Sequence, residues 1–351
     1  MSVVEIGVAS LADRQPRTVD GTTVTEAART AQIIELGVQA DELGLDVFGL
    51  GEHHSRDFVV SSPVPVLAAV AARTTRIRLT SGVTVLSALD PVRVHQDFAT
   101  LDLISGGRAE ITVGRSAYPE PFALFGVDIN DYDEVFTEKL DLLLRLRDEP
   151  EISWSGTHRP PLTRAAVVPR GVQAALPVWI GAGGTPASAA RAGLLGLPLI
   201  LGYLGGSPEH LRGLVDLYRA AGARAGHADR LRVGVAAHYF GAETQAEAAS
   251  TYPYYHDFLR PKHPGGGGFV VTPQAFTDGT SPDRPLMIGT PGHVIDKLVH
   301  LHKVLGYDRL QLLADWGGLP APLVEASVHR LGTEIAPALR ETLSRVSRGI
   351  P

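Results

Sequence analysis

The chain contains no cysteine among its 351 residues, which removes disulfides, thiolate nucleophiles and cysteine-ligated zinc from consideration at once. It is also short of positive charge. Lys and Arg number 32 against 38 Asp and Glu, a formal net charge of −6, so neither nucleic acid nor an anionic membrane surface is an expected partner. No apolar run approaches the roughly 18 residues of a membrane-spanning helix. The stretch from Met1 to Glu5 lacks a basic segment leading into an apolar one, and the expectation is a cytoplasmic protein. What remains is 44% hydrophobic and 20% charged, the composition of a globular fold. The length exceeds one average domain, yet a single α/β barrel can use all of it.

Apolar runs of strand length alternate with helical patterns along the whole sequence. Strands are expected at 3–9, 46–50, 77–86, 109–113, 178–180, 199–201, 231–240 and 310–314. Helices are expected at 25–43, 65–73, 91–104, 132–147, 208–221 (stopped by Gly222) and 323–343. Eight strands separated by helices predict parallel βαβ units and an α/β, (β/α)8 TIM barrel rather than an open doubly wound sheet. Gly44, Gly196 and Gly306 each stand directly before a strand, where a left-handed helix cap is needed, and mark the bottom of the barrel. Chemistry then belongs at the opposite, C-terminal strand ends. Two stretches break the pattern as insertions after strands four and seven. Residues 151–171 read as a Pro-rich β-excursion, and 263–285 as a long Gly/Pro-rich loop, lid-like over the barrel mouth. No linker divides the chain, so 1–351 is expected to be one domain.

The stretch PVWIGAGGTPASAARAGLLGLP, Pro177 to Pro198, joins a short buried strand to a glycine loop and an alanine-rich helix. Gly181, Gly183 and Gly184 let the chain approach an anion, and Thr185 and Ser188 can donate hydroxyls to it at a helix N-terminus. An ordinary βα turn accounts for this stretch equally well. Strand four, however, ends in Gly114-Arg115-Ser116 next door, and an Arg there offers a two-pronged fit to phosphate. The two features side by side favour phosphate over a rim salt bridge. Strand two ends in Gly51-Glu52-His53-His54, a triplet suited to acid/base or orienting work, to metal ligation, or to a polar rim. Gly82 inside the third apolar strand signals a bulge or something flat pressed close to the backbone.

The run EHH at 52–54 is followed by SGVTVLSALDPVRVHQDFATLDLISGGRAEITVGRSAYPEPFALFG at 81–126, then by the glycine loop at 181–188, GLP at 196–198 and IGTPGHVIDKL at 288–298. In this order the chain resembles, over nearly its whole length, the bacterial luciferase-like superfamily of flavin-dependent monooxygenases. The resemblance implies FMN across the barrel mouth, its ring against Gly82-Val83, a pair matching the family's cis non-prolyl peptide. It implies Arg115 with Gly183, Gly184, Thr185 and Ser188 around the phosphate, Glu52 and Tyr118 lining the flavin, and His53 as the catalytic histidine. It further implies a homodimer, and reduced FMN supplied by a separate reductase. Gly114 stands where the luciferases carry a reactive cysteine, and Gly-Gly replaces an acidic residue of their phosphate loop. Light emission is therefore not expected, and the non-luminescent single-chain branch fits better.

The expected function is thus that of an FMN-dependent monooxygenase, using O2 on a small, mostly apolar organic substrate. The alternatives are a deazaflavin-dependent dehydrogenase of the same superfamily, a flavin-binding protein without turnover and, outside the family, a metal-dependent barrel hydrolase.

Overall fold

In the computed structural model, residues 4–14, 19, 21–116, 118–262 and 267–347 are described. Val3, Ala117 and 263–266, which fall within expected segments, lie outside them. Eight parallel strands close on themselves. They are β1 (Glu5–Ser10), β2 (Val47–Leu50), β3 (Arg78–Ser81), β4 (Ala109–Gly114), β5 (Val178–Ala182), β6 (Leu199–Gly202), β7 (Val233–Gly241) and β8 (Arg309–Leu313). The ladder from β1 through β8 returns to β1 with Glu5 opposite Arg309, which makes the sheet a (β/α)8 barrel. The outer helices are α1 (Glu26–Glu42), α2 (Pro63–Ala71), α3 (Pro91–Ser105), α4 (Tyr132–Asp148), α5 (Pro186–Leu194), α6 (Pro208–Arg224), α7 (Pro291–Leu305) and α8 (Ala321–Arg330).

The interior is filled in layers. Arg309 on β8 donates to Glu110 on β4, across the barrel rather than along the sheet, with Nη2 to Oε1 at 3.1 Å. Its guanidinium lies 4.2 Å from the centroid of the Trp179 ring on β5. These residues fix which face of each strand points inward, because side chains alternate strictly along a strand. Above this layer come Gln311, Thr80 and Thr112, the two threonine hydroxyls 3.0 Å apart. The three glycines read as bottom-face caps have φ of +72° (Gly44), +63° (Gly196) and +59° (Gly306). The mouth therefore lies at the opposite end.

Several boundaries differ from the sequence reading, each for a physical reason. The strand expected at 77–86 is interrupted: the peptide Gly82–Val83 is cis, and only Thr84–Val85 resumes pairing, with β4. Helix α6 does not stop at Gly222 but runs through it to Arg224. A Cβ at Gly222 would come within 2.6 Å of the Leu231 side chain, so this glycine serves close packing and not termination. The closing helix expected at 323–343 is helical throughout but changes winding, since Leu331–Ile335 forms a wide π turn between Ala321–Arg330 and Ala336–Ser347. Pro337 has no N–H to continue the ladder there. Gly181 likewise lies within β5 and does not end it. The stretch 263–285, expected to be a long lid-like loop, contains a helix at Pro273–Gly279. Before β8 come two elements the sequence reading lacked, a short strand Met287–Gly289 paired with β7, and α7. Residues 151–171 hold the expected excursion, a hairpin of Glu151–Trp154 and Leu162–Ala166.

Candidate active site

The C-terminal ends of β4 and β5 form a cationic corner. Arg115 follows β4, and its Nη2 donates to Thr185 Oγ1 at 3.3 Å. Its Nη1 donates to Tyr132 Oη at 3.2 Å, and the same nitrogen pairs with Asp133. Thr185 is the N-cap of α5, yet its side chain makes no cap hydrogen bond; Pro186 has no N–H and the Ser188 N–H donates to the Thr185 carbonyl at 3.1 Å, which leaves the Ala187 N–H as the open first-turn donor. Ser188 is buried in that first turn. A Cβ on Gly183 or Gly184 would meet nothing within 4 Å, so the loop lies open to an incoming group.

A second arginine, not anticipated from the sequence, completes this corner. Arg191 stands one turn beyond Ser188 on α5, its guanidinium 5.3 Å from the centroid of the Phe136 ring. Its Nη1 is buried and has no hydrogen-bond partner. Burial, and then the neighbouring positive charge of Arg115, push its pKa down. A buried donor without an acceptor costs about 1–3 kcal/mol, more for a charged group. Two guanidinium groups held near one another beside an uncapped helix fit a dianionic phosphate. The signal was available: positions three apart on a helix share a face, and Arg191 is three beyond Ser188.

Beside this corner lies the cis peptide. The Gly82 N–H donates to the Leu50 carbonyl at 2.7 Å, while its Cβ position faces open space, the nearest atom being 3.9 Å away. Val83 is wedged against β4 and β5: a Cβ at Gly114 or at Gly181 would each lie 2.5 Å from a Val83 methyl. The two glycines let this side chain seat fully, which turns the Gly82–Val83 peptide into a fixed platform at the mouth.

The third group comes from β2. His53 stacks on Phe58 with ring centroids 3.8 Å apart, and meets Tyr118 edge-on at 5.7 Å. Burial pushes its pKa down to about 4, against a hydrogen bond to the Leu11 backbone that acts in the opposite sense, so the ring is neutral at pH 7. Its Nδ1 is buried and unpartnered. Glu52 is buried and accepts from His54 Nε2 at 2.9 Å, so the carboxylate orients the second histidine and not the first. Burial first, then Glu120 and Asp57, raise the Tyr118 pKa and keep the phenol protonated. The lid-like stretch does reach this wall, for a Cβ at Gly267 would lie 3.3 Å from the Tyr118 ring.

The expected residues thus fall into two clusters at one end of the barrel, Arg115–Thr185 and His53–Tyr118, with Gly82–Val83 at the same mouth. A rim of exposed apolar side chains stands on the loops after β4, β6 and β7. Leu124 is 65% exposed, Leu204 47% and Phe269 59%. No described helix is long and apolar enough to cross a membrane.

Comparison with known proteins agrees with this fold. Residues 4–308 match the family described as luciferase-like monooxygenase. The oxygenase component of a flavin-dependent trigonelline monooxygenase from Acinetobacter baylyi is 24% identical over 341 residues, which is 90% of this chain and 91% of that one. Among solved structures, the monooxygenase RslO1 from Streptomyces bottropensis superposes with a TM-score of 0.81 at 21% identity, covering 95% of this chain and 99% of that one. The coenzyme F420-dependent tetrahydromethanopterin reductase from Methanopyrus kandleri gives 0.72 at 20% identity, covering 96% and 100%.

Proposed function

The chain belongs to the luciferase-like monooxygenase family, and from that premise we propose that it is an FMN-dependent monooxygenase taking reduced FMN from a separate reductase. It is an oxidoreductase built as a (β/α)8 barrel, and we infer that 1–351 act as one domain and pair as a homodimer. The observation that carries the cofactor reading is the unpartnered, buried Nη1 of Arg191 beside Arg115 at the uncapped start of α5. Reduced FMN, when bound, supplies two electrons to O2, so that one oxygen atom reaches the substrate and the other leaves as water.

The protein's own part is to bind, orient and exclude water. Arg115, Arg191, Thr185, the Ser188 hydroxyl and the N–H groups of Gly183, Gly184 and Ala187 hold the phosphate. The Gly82–Val83 peptide, braced by the seat of Val83, supports a flat ring. Neutral His53, stacked on Phe58 with Tyr118 edge-on to both rings, is the group placed to hold or pass a proton at the reacting face. The apolar rim of Leu124, Leu204 and Phe269 favours a small, mostly apolar substrate and keeps water from the mouth.

The test is anaerobic titration with reduced FMN and with reduced riboflavin, followed by admission of air and measurement of O2 uptake against candidate substrates. Tight binding of FMN, much weaker binding of riboflavin, and substrate-dependent O2 uptake are expected. Failure to bind FMN in either redox state overturns the reading and makes the deazaflavin the next titrant. Tight FMN retention without any substrate-dependent uptake assigns a flavin-binding role without turnover.

A further inference from the structure

Across the mouth from His53, the inner face of β7 carries a second histidine that the reading above does not use. Gly234 points into the barrel, since its Cβ position faces Ile200 and Trp179. Tyr239 points outward, donating its hydroxyl to the Ser327 carbonyl on α8 at 2.8 Å. By strand alternation His238 faces inward, two layers above Gly234 and towards the mouth. It is 3% exposed, and its Nε2 is buried without a partner. Its ring sits in an aromatic box, edge-on to Tyr255 at 5.3 Å and to Phe258 at 5.5 Å, with Trp316 against the other side of Tyr255 at 5.2 Å.

The hydrogen bond on the far side of the ring fixes what Nε2 offers. Tyr255 Oη and His238 Nδ1 lie 3.0 Å apart. Burial holds the Tyr255 hydroxyl in its protonated form and His238 in its neutral form. If Nδ1 carried the ring proton, the buried phenolic hydrogen would be left without an acceptor, a loss of about 1–3 kcal/mol. Tyr255 therefore donates, Nδ1 accepts, and the ring proton resides on Nε2. On the neighbouring strand, one layer below, Gln311 Nε2 is also buried and unpartnered. The inner wall of β7 and β8 thus carries two neutral donors that no acceptor meets among the described residues.

We propose that His238, its tautomer set by Tyr255, is the specificity-determining donor of a substrate subsite that takes a neutral oxygen acceptor carried on an apolar body. This rests on the oxidoreductase reading of the same mouth. On that reading β3 to β5 would hold the flavin, and the β7–β8 side would be left for the molecule to be oxidised. A ketone, aldehyde, ester or ether oxygen accepts from His238 Nε2, with Gln311 able to assist. A carboxylate is disfavoured, because both donors are neutral and the box presents no cation.

The probes are acetophenone and α-methylstyrene, which have nearly the same shape and differ in a carbonyl against a methylene. Each is titrated calorimetrically into the full chain, with and without FMN. A neutral hydrogen bond corresponds to about a 3- to 10-fold preference for the ketone. That preference is expected in the natural protein, is abolished in His238→Phe, and is partly restored in His238→Gln, whose amide keeps a donor. Nitrogen-15 shifts of the histidine rings are expected to show the proton on His238 Nε2, a readout that needs no variant to fold. Equal affinity for the two probes, no saturable ketone binding, a preference that survives in His238→Phe, or a proton on Nδ1 overturns the proposal. Loss of FMN binding with the ketone preference intact removes the flavin reading instead, and tight FMN binding without the preference removes the subsite alone.

Discussion

Replacing Arg191 by methionine separates a group placed for a ligand from one placed for the fold, because the two roles predict opposite signs. Without a ligand, Arg191 is a cost: its Nη1 is buried and unpartnered, and Arg115 repels it. Removing an orphaned donor recovers about 1–3 kcal/mol. Methionine keeps much of the stem's packing over Phe136 and forfeits a cation–π contact of about 0.5–1 kcal/mol. The ligand-free variant is therefore expected to be as stable or more stable, by up to about 2.5 kcal/mol. Binding changes the other way. One charge-assisted hydrogen bond to phosphate contributes about 1.5–3 kcal/mol, so FMN affinity should fall about 10- to 150-fold. Riboflavin, which has no phosphate, should bind the variant as well as it binds the natural protein. Thermal unfolding without flavin and fluorescence titration with both flavins measure the three quantities. A variant that is less stable and loses both flavins equally would refute the reasoning, for Arg191 would then be a packing residue. Unchanged FMN affinity would refute it as directly.

Three further outcomes follow from the geometry. Gly181→Ala drives a methyl to 2.5 Å from Val83 and should cost ~1–3 kcal/mol of stability, whereas Gly183→Ala, with nothing within 4 Å, should leave unfolding unchanged and weaken FMN alone. Asp133→Asn removes the carboxylate that pairs with Arg115 where phosphate is to bind, and FMN should bind about 2- to 5-fold more tightly, as read by titration at low salt. Acid should destabilise the fold. His53, His95 and His238 are each pushed down to about 4 by burial, so each contributes stability that is full above its ordinary value of 6.5 and is lost as pH falls towards 4. That amounts to about 2 kcal/mol per histidine at pH 5. Asp315, raised to about 6 by burial, works in the opposite direction over the same range and offsets part of it. His95 is the cleanest probe, since both of its ring nitrogens are unpartnered. His95→Phe should flatten the fall in Tm between pH 7 and 5, and an unaltered slope would contradict the assignment.

Local chemistry settled much of this protein before any tertiary contact was known. The eightfold alternation of apolar runs and helices sufficed for the barrel, because a strand buried on both faces and a helix buried on one leave different periodicities. Glycine before a strand located the bottom of the barrel at Gly44, Gly196 and Gly306, since only glycine takes that left-handed cap cheaply. Arg115 and Thr185, 70 residues apart in the chain, were both legible as strand-end polar groups and do meet.

What the sequence could not decide is which polar groups lack partners. The meaning of Arg191, His53 and His238 depends on whether an acceptor lies within about 3 Å in three dimensions, and chain spacing carries no information about atoms arriving from other strands. The same holds for two of the glycines. Gly222 carries the mark of a helix stop and is instead a seat for Leu231, and Gly181 carries the mark of a loop and is instead a seat for Val83. A glycine's tolerance is local and visible in sequence, but the neighbour that exploits it is supplied by the fold.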